Sequence, residues 1–272
     1  MRTLVHITDL HFGKLTPGAP DRLVNRIARD RPDRVIVSGD LTMRSRPREW
    51  IQAQAFLKRL PAPAMVVPGN HDLPYFNLYE RFRHPYRRFQ THISQDLNPA
   101  YTDGIMAIMG INTARSWVPH YTWKEGGISD AQIKSAENFF TRTQSMIRIV
   151  FAHHPFLPPP QHPRTYLVRN ALPALEAFER TGVDLLLGGH LHIPYIGDIA
   201  AFHASIRRSM ICIQGPTATS SRLRKKTPNG YNRLILSNDR ITILARQWQG
   251  TDFEDAGNVE YHRTASGWKH VL

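Results

Sequence analysis

Apolar residues in this chain come in short, near-continuous runs, separated by stretches where they recur every three or four positions. Residues 3–8 form the first run, Arg34-Val35-Ile36-Val37-Ser38 the second and Ala64-Met65-Val66-Val67-Pro68 the third. Between them Leu23, Val24, Ile27 and Ala28, and then Trp50, Ala53, Leu57 and Leu60, fall at helical spacing among charges. Strand, helix, strand, helix, strand, with strands that do not alternate apolar and polar, predicts a parallel sheet covered on both faces.

Residues 73–99 break the rhythm. Tyr75, Tyr79, Phe82, Tyr86 and Phe89 follow spacings of four and three with Arg81, Arg83, Arg87 and Arg88 between them, and Pro85 must kink or end any helix there. Two readings stand: a helical insertion packing its aromatics on the body, or a cap offering arginine to an anionic substrate. Strands are expected again at Ala107-Ile108-Met109-Gly110-Ile111, Ile147–Ala152 and residues 183–187. Ser129-Asp130-Ala131-Gln132 opens a helix with a capping-box pattern, and Ile133, Ala136 and Phe140 give its buried face. Asn170 is expected to cap a helix running to Gly182. Beyond residue 192 only strands are expected, at 209–214, 231–237 and 240–246, the last two joined by a tight Asn238-Asp239 turn. The weakly patterned residues 251–272 read as a C-terminal surface tail to a single domain over residues 1–250.

Composition adds bounds. The 272 residues, 41% hydrophobic, suffice for a large core, and no run approaches the roughly 18 apolar residues of a membrane span. Residues 1–11 already read as a strand entering a polar loop, which argues against a cleaved leader. The single cysteine, Cys212, lies in an apolar run and reads as a core thiol; with no disulfide possible inside the chain, a cytoplasmic location is expected. A formal charge of +13 favours anionic partners, whether nucleotides, nucleic acid or an anionic membrane surface.

The chemistry gathers where the strands stop. Five apolar runs end in residues of ligand type: Asp9 and His11, Asp40, Asn70 and His71, His153, and His190 with His192. Ligands of open α/β sheets bind beyond the carboxyl ends of strands, so these loops are expected to converge on one rim. Carboxylates, an amide and imidazoles without thiolate suit Mn, Fe or Zn and exclude a sulfur-rich structural site. The donors exceed what one ion needs, so two divalent or mixed-valence ions sharing a carboxylate are expected, an arrangement suited to in-line displacement at phosphorus.

The ordered series Asp9-x-His11, Gly39-Asp40, Gly69-Asn70-His71-Asp72, His153-His154-Pro155 and Gly188-Gly189-His190-x-His192 resembles the calcineurin-like metallophosphoesterases. That resemblance implies a two-sheet β-sandwich flanked by helices. It implies Asp9, His11, Asp40 and His192 on a first metal, Asp40 bridging, and Asn70, His153 and His190 on the second. It gives His71 contact with the phosphoryl oxygen or leaving group, Asn70 a place beside it, and Asp72 the task of holding the His71 ring. The segment from Gln214 to Arg224, with Pro216 in place of a usual glycine, and residues 123–132 are similar to the bacterial class III cyclic-nucleotide phosphodiesterase branch.

The expected activity is hydrolysis of small anionic phosphodiesters, cyclic nucleotides among them, by a metal-bridging hydroxide. A pyrophosphohydrolase of a nucleotide-linked lipid, with residues 75–89 as its acyl-binding cap, is the alternative. A nuclease and a non-catalytic binding protein are weaker ones, and a homodimer is an open partner.

Overall fold

The computed structural model describes residues 1–117, 124–224 and 227–271. In chain order the elements are β1 (Arg2–Ile7), α1 (Ala19–Asp30), β2 (Arg34–Ser38), α2 (Pro47–Lys58), β3 (Ala64–Val67), a 3-10 turn (Asn70–Asp72), α3 (Leu78–Arg83), α4 (Arg87–His92), β4 (Ala100–Thr102) and β5 (Met106–Ile111). They continue with α5 (Asp130–Arg142), β6 (Ile147–Ala152), α6 (Ala171–Arg180), β7 (Leu185–Gly188), β8 (Tyr195–Asp198), α7 (Ile199–Phe202), β9 (Ile211–Gln214), β10 (Gly230–Leu236), β11 (Arg240–Trp248), β12 (Phe253–Thr264) and β13 (Gly267–Val271).

Two mixed sheets face one another, ordered β13-β12-β11-β10-β1-β2-β3 and β4-β5-β6-β7-β9-β8. Within them β1, β2 and β3 run parallel, as do β5, β6, β7 and β9. The near-continuous apolar runs follow from this layering. Leu4, Ile36, Val67, Ile108, Ile149, Leu185 and Ile213 fill the space between the sheets. Their neighbours in sequence face outward: Val5, Val35 and Val37 meet Leu23, Ile27, Trp50 and Ala53 of α1 and α2, while Val150 and Leu186 meet Phe140, Leu175 and Phe178 of α5 and α6. Each central strand thus buries both faces.

Several expectations are corrected. The expected tail at residues 251–272 is instead, over residues 253–271, the hairpin β12–β13, which extends the first sheet by pairing β12 with β11. The pattern misleads because most of β12 is exposed on both faces, whereas Phe253 and Trp268 enter cores. The Trp268 indole N–H donates to Asp184 Oδ1 (2.8 Å), pinning the hairpin to the second sheet. Strands β4 and β8 and the single turn α7 are too short for a periodic signal. Asn170 precedes α6 in a left-handed conformation (φ 61°) without capping it; its side-chain amide donates to Ile128 O (2.9 Å). The capping box at Ser129 is present, and the helix expected in the insertion is split into α3 and α4 around Pro85.

The aromatics of residues 73–99 divide. Phe89 is buried against Trp50, and the Tyr86 hydroxyl donates to Ala114 O (2.6 Å), but Tyr75, Phe76, Tyr79 and Phe82 are exposed. Packing on the body therefore holds for the second half only.

Candidate metal centre

The loops leaving β1 and β2 continue side by side beyond their strands: Asp9 N donates to Gly39 O (3.1 Å), His11 N to Asp40 O (3.0 Å) and Phe12 N to Leu41 O (2.8 Å). Gly189 N donates to His153 O (3.0 Å), joining the loops after β7 and β6. The segment after β9 locks the rim from beneath, with Ala218 N donating to Thr8 O (2.9 Å), Thr217 Oγ1 to Asp9 O (2.6 Å) and Thr219 Oγ1 to Leu10 O (2.7 Å). The hydroxyls of Thr217 and Thr219 are functional supports that carry no sequence signal beyond the resemblance.

Five of the eight non-glycine residues with positive φ among those described are Asp9, His11, Asp40, His190 and His192. Left-handed backbone costs a non-glycine residue roughly 1–2 kcal/mol. Strain is thus concentrated on the residues whose side chains must turn into the rim. Gly69 serves the same crowding, since a Cβ there would lie 2.1 Å from Asp40 Oδ1.

All seven expected ligands converge. Asp9, His11 and His192 form one buried group, and Asp9, Asp40 and His153 a second, each with its ligating atoms within 4.8 Å of one another. Asn70 Oδ1 lies 3.1 Å from His153 Nε2 and 2.9 Å from His190 Nδ1. Asp40 stands between the two sides, its Oδ2 3.7 Å from His11 Nε2 and 3.3 Å from His153 Nε2. His154 also lies beside His153 and His190, but its Nδ1 is engaged by Thr113 Oγ1 (2.8 Å).

The tautomers are set by backbone carbonyls, which only accept. His11 Nδ1 faces Thr42 O (3.3 Å), His192 Nδ1 faces Arg222 O (3.2 Å) and His153 Nδ1 faces Ser38 O (2.8 Å), so each Nδ1 carries a proton. In the neutral rings every Nε2 is then a bare acceptor, and those of His11 and His192 stand 3.0 Å apart. Asp9 Oδ2 accepts from Thr8 Oγ1 (2.7 Å) and His190 N (2.9 Å), whereas the buried Asp9 Oδ1 has no hydrogen-bond partner. Acceptors aimed at one another in a dry place repel unless a cation lies among them. The donor set and its orphaned oxygen therefore fit two borderline divalent cations.

On the protein's own charges the site divides its protons unequally. Burial opposes charging His153, but Asp40, Asp9 and the Ser38 carbonyl outweigh it and raise the ring to about 9. Burial and the neighbouring His153 charge lower His190 to about 3. Burial also opposes ionisation of Asp40, yet His153, His71 and His11 hold its carboxyl far below the usual range. Burial lowers His71, against the pull of Asp40.

His71 is placed by its backbone N–H donating to Asp40 Oδ1 (2.8 Å) and by its Nδ1–H donating to Met43 O (2.7 Å). The expectation that Asp72 holds this ring is corrected. Asp72 Oδ1 accepts from Thr42 N (2.8 Å) and Thr42 Oγ1 (3.0 Å), and its Oδ2 from Leu41 N (3.1 Å) and Gly69 N (2.9 Å). It is a clamp joining the Asp40 and Asn70 loops, and the Met43 carbonyl is the ring's holder. Burial and Asp40 push the Asp72 carboxyl up to about 6 despite those backbone donors.

Above the ligands lies a cavity of about 440 Å³, walled by Met43, Arg44, Tyr75, Lys124, Arg222 and Arg224. None of those four cations is ion-paired among the described residues. Of the basic cluster at residues 222–226, Lys225 and Lys226 lie outside the described residues, as does Trp123 of the segment 123–132.

The family model described as calcineurin-like phosphoesterase matches residues 2–194. Among curated proteins, the glycerophosphodiester phosphodiesterase GpdQ of Enterobacter lignolyticus (strain SCF1) is 30% identical over 174 residues, covering 57% of this chain and 57% of that protein. The chain therefore spans little more than half the length of that relative. Among solved structures, the purple acid phosphatase PPD1 of yellow lupin (Lupinus luteus) seeds superposes with a TM-score of 0.71 at 13% identity, covering 95% of this chain and 53% of that one. PhoD superposes with a TM-score of 0.72 at 12% identity, covering 100% of this chain and 71% of that one.

Proposed function

The chain belongs to the calcineurin-like phosphoesterase family, and from that membership we propose a dinuclear-metal-dependent phosphodiesterase acting on small anionic diesters, cyclic nucleotides among them. The observation that carries this reading is the pair of converging ligand groups, which share Asp9 and between which Asp40 Oδ2 faces both His11 and His153, with Asp9 Oδ1 and the imidazole Nε2 atoms left as bare acceptors. Asp9, His11, Asp40 and His192 would hold one ion, and Asp40, Asn70, His153 and His190 the other; their identity as Mn, Fe or Zn is open. When bound, such a pair polarises phosphoryl oxygens and lowers the pKa of water into the neutral range.

The chain's own residues do the rest. Lys124, Arg222 and Arg224 draw an anionic substrate over the ligands. Asn70 and His71 sit where its phosphoryl group must lie. With Nδ1–H committed to Met43 O, His71 has only Nε2 with which to meet a phosphoryl or leaving-group oxygen, and a proton passed to that oxygen must come from Nε2. The relative GpdQ, a glycerophosphodiester phosphodiesterase, supports the diester over the monoester.

The rim of unpaired cations favours one second reading, a diphosphate-linked substrate such as a nucleotide-linked lipid, whose extra phosphate would use them. A panel of a cyclic nucleotide, a model aryl diester and a lipid-linked diphosphate, run with several metals, separates the readings. The account expects diester turnover that is lost on chelation and lost in Asp40→Ala. Turnover confined to the diphosphate would establish the second reading in its place.

A further inference from the structure

Large apolar side chains are exposed at the edge of the cavity. Tyr75, which walls it, is 53% exposed, Phe76 61%, Tyr79 76% and Phe82 53%. Trp117, 62% exposed, follows Ser116, whose carbonyl is tied to α3 by Arg81, which donates to Ser116 O (3.1 Å) and Pro74 O (3.1 Å). Leu223, between the cavity cations Arg222 and Arg224, is 44% exposed. Such a concentration on a soluble-type fold marks an interaction surface.

The charge beside it has one sign. The Arg44 guanidinium lies 5.9 Å from the Tyr75 ring centre and that of Arg46 5.4 Å from the Phe76 ring centre. Arg83 and Arg87 are exposed, and no ion pair engages any of these four cations among the described residues. The only acid of α3, Glu80, is bound to Arg88. No helix among the described residues is long and apolar enough to cross a membrane, so any bilayer contact of these helices is peripheral.

We propose that residues 75–82, with Trp117 and the flanking arginines, form a docking surface for an anionic lipid bilayer beside the mouth of the metal centre. Aromatic side chains with apolar bodies enter the headgroup boundary while arginine stems lie along it with their charges outward. An anionic leaflet attracts each such arginine. A second copy of this chain fits less well, because a two-fold contact would bring Arg44, Arg46 and Arg83 against their own copies on a molecule of formal charge +13. Single-stranded nucleic acid would use stacking rings and cations, but Leu78 and Leu223 offer no ring face and would stay in water. A bilayer uses the whole set.

Co-sedimentation with phosphatidylcholine vesicles, with and without phosphatidylglycerol, tests this on the full chain. The protein should pellet with the anionic vesicles, less so as salt rises, and weakly with neutral ones. The triple variant Phe76→Ser/Tyr79→Ser/Phe82→Ser should lose about tenfold or more in partition. These side chains are exposed and line neither the ligands nor the cavity, so turnover of a soluble aryl diester should match the parent and certify the fold. Absence of binding to anionic vesicles, or equal binding by the variant, overturns the proposal. So does a result in which the substitutions abolish self-association in sedimentation velocity, or binding of a single-stranded oligonucleotide, without affecting vesicle binding. The readout is binding, so its failure leaves the phosphodiesterase reading untouched, and failure of that reading leaves this one standing.

Discussion

At the scale of single residues, the site is a set of acceptors held in place by the backbone. Protons and cations compete for it, and the competition has a direction. Because His153 is raised to about 9, an ion that binds at neutral pH must expel its proton. Metal affinity should therefore climb with pH by about tenfold per unit until about 9, with protons released on binding. Calorimetry in buffers of differing ionisation enthalpy reads both, and a pH-independent affinity would contradict the assignment. His71 and Asp72 should separate in the same way. His71→Ala should lower kcat by about a hundredfold or more while metal content is kept, because it removes the group proposed to face the phosphoryl oxygen through Nε2 and none of the expected ligands. Asp72→Asn should instead lower the unfolding midpoint, since an amide nitrogen would replace one oxygen facing backbone N–H donors, each worth about 1–3 kcal/mol when left unmade.

At the scale of elements, the sequence was most legible where burial imposes a continuous pattern. The strands β1, β2, β3, β6 and β7 are apolar on both faces because helices cover one and the opposite sheet the other, and ligand residues follow at their ends. That the seven expected ligand residues would gather at one rim was readable from that coincidence. The role of Asp72 was not, because adjacency in sequence to His71 says nothing about which way a carboxylate turns in a 3-10 turn. The hairpin β12–β13 was missed for a related reason: a strand exposed on both faces needs no apolar period, and its two deep anchors, Phe253 and Trp268, stand far apart in a polar stretch. Trp268→Ala should cost about 3–5 kcal/mol, read as a lower urea midpoint, because it empties a core position and unpairs Asp184 Oδ1 from the indole N–H. A surface tail would tolerate the change without loss.

At the scale of the whole molecule, two sheets present one rim of ligands, and an excess of positive charge surrounds the opening. That field raises the local concentration of anions and is screened by salt over about 10 Å at moderate ionic strength. KM for an anionic diester should rise with salt, more steeply for a substrate bearing a second phosphate. Removing Arg222 and Arg224 together should flatten that dependence. The same positive sign makes the exposed aromatic face beside the cavity a complement to an anionic surface. The central claim, however, is that Asp40 joins two metal positions into one hydrolytic site. Its most direct measurement is turnover of an aryl phosphodiester by chelator-stripped protein titrated with Mn, beside the Asp40→Ala variant. The account predicts no turnover in the stripped protein, a rise that levels at about two equivalents per chain, and none at any loading in the variant. Undiminished turnover in the stripped protein or in Asp40→Ala would contradict it.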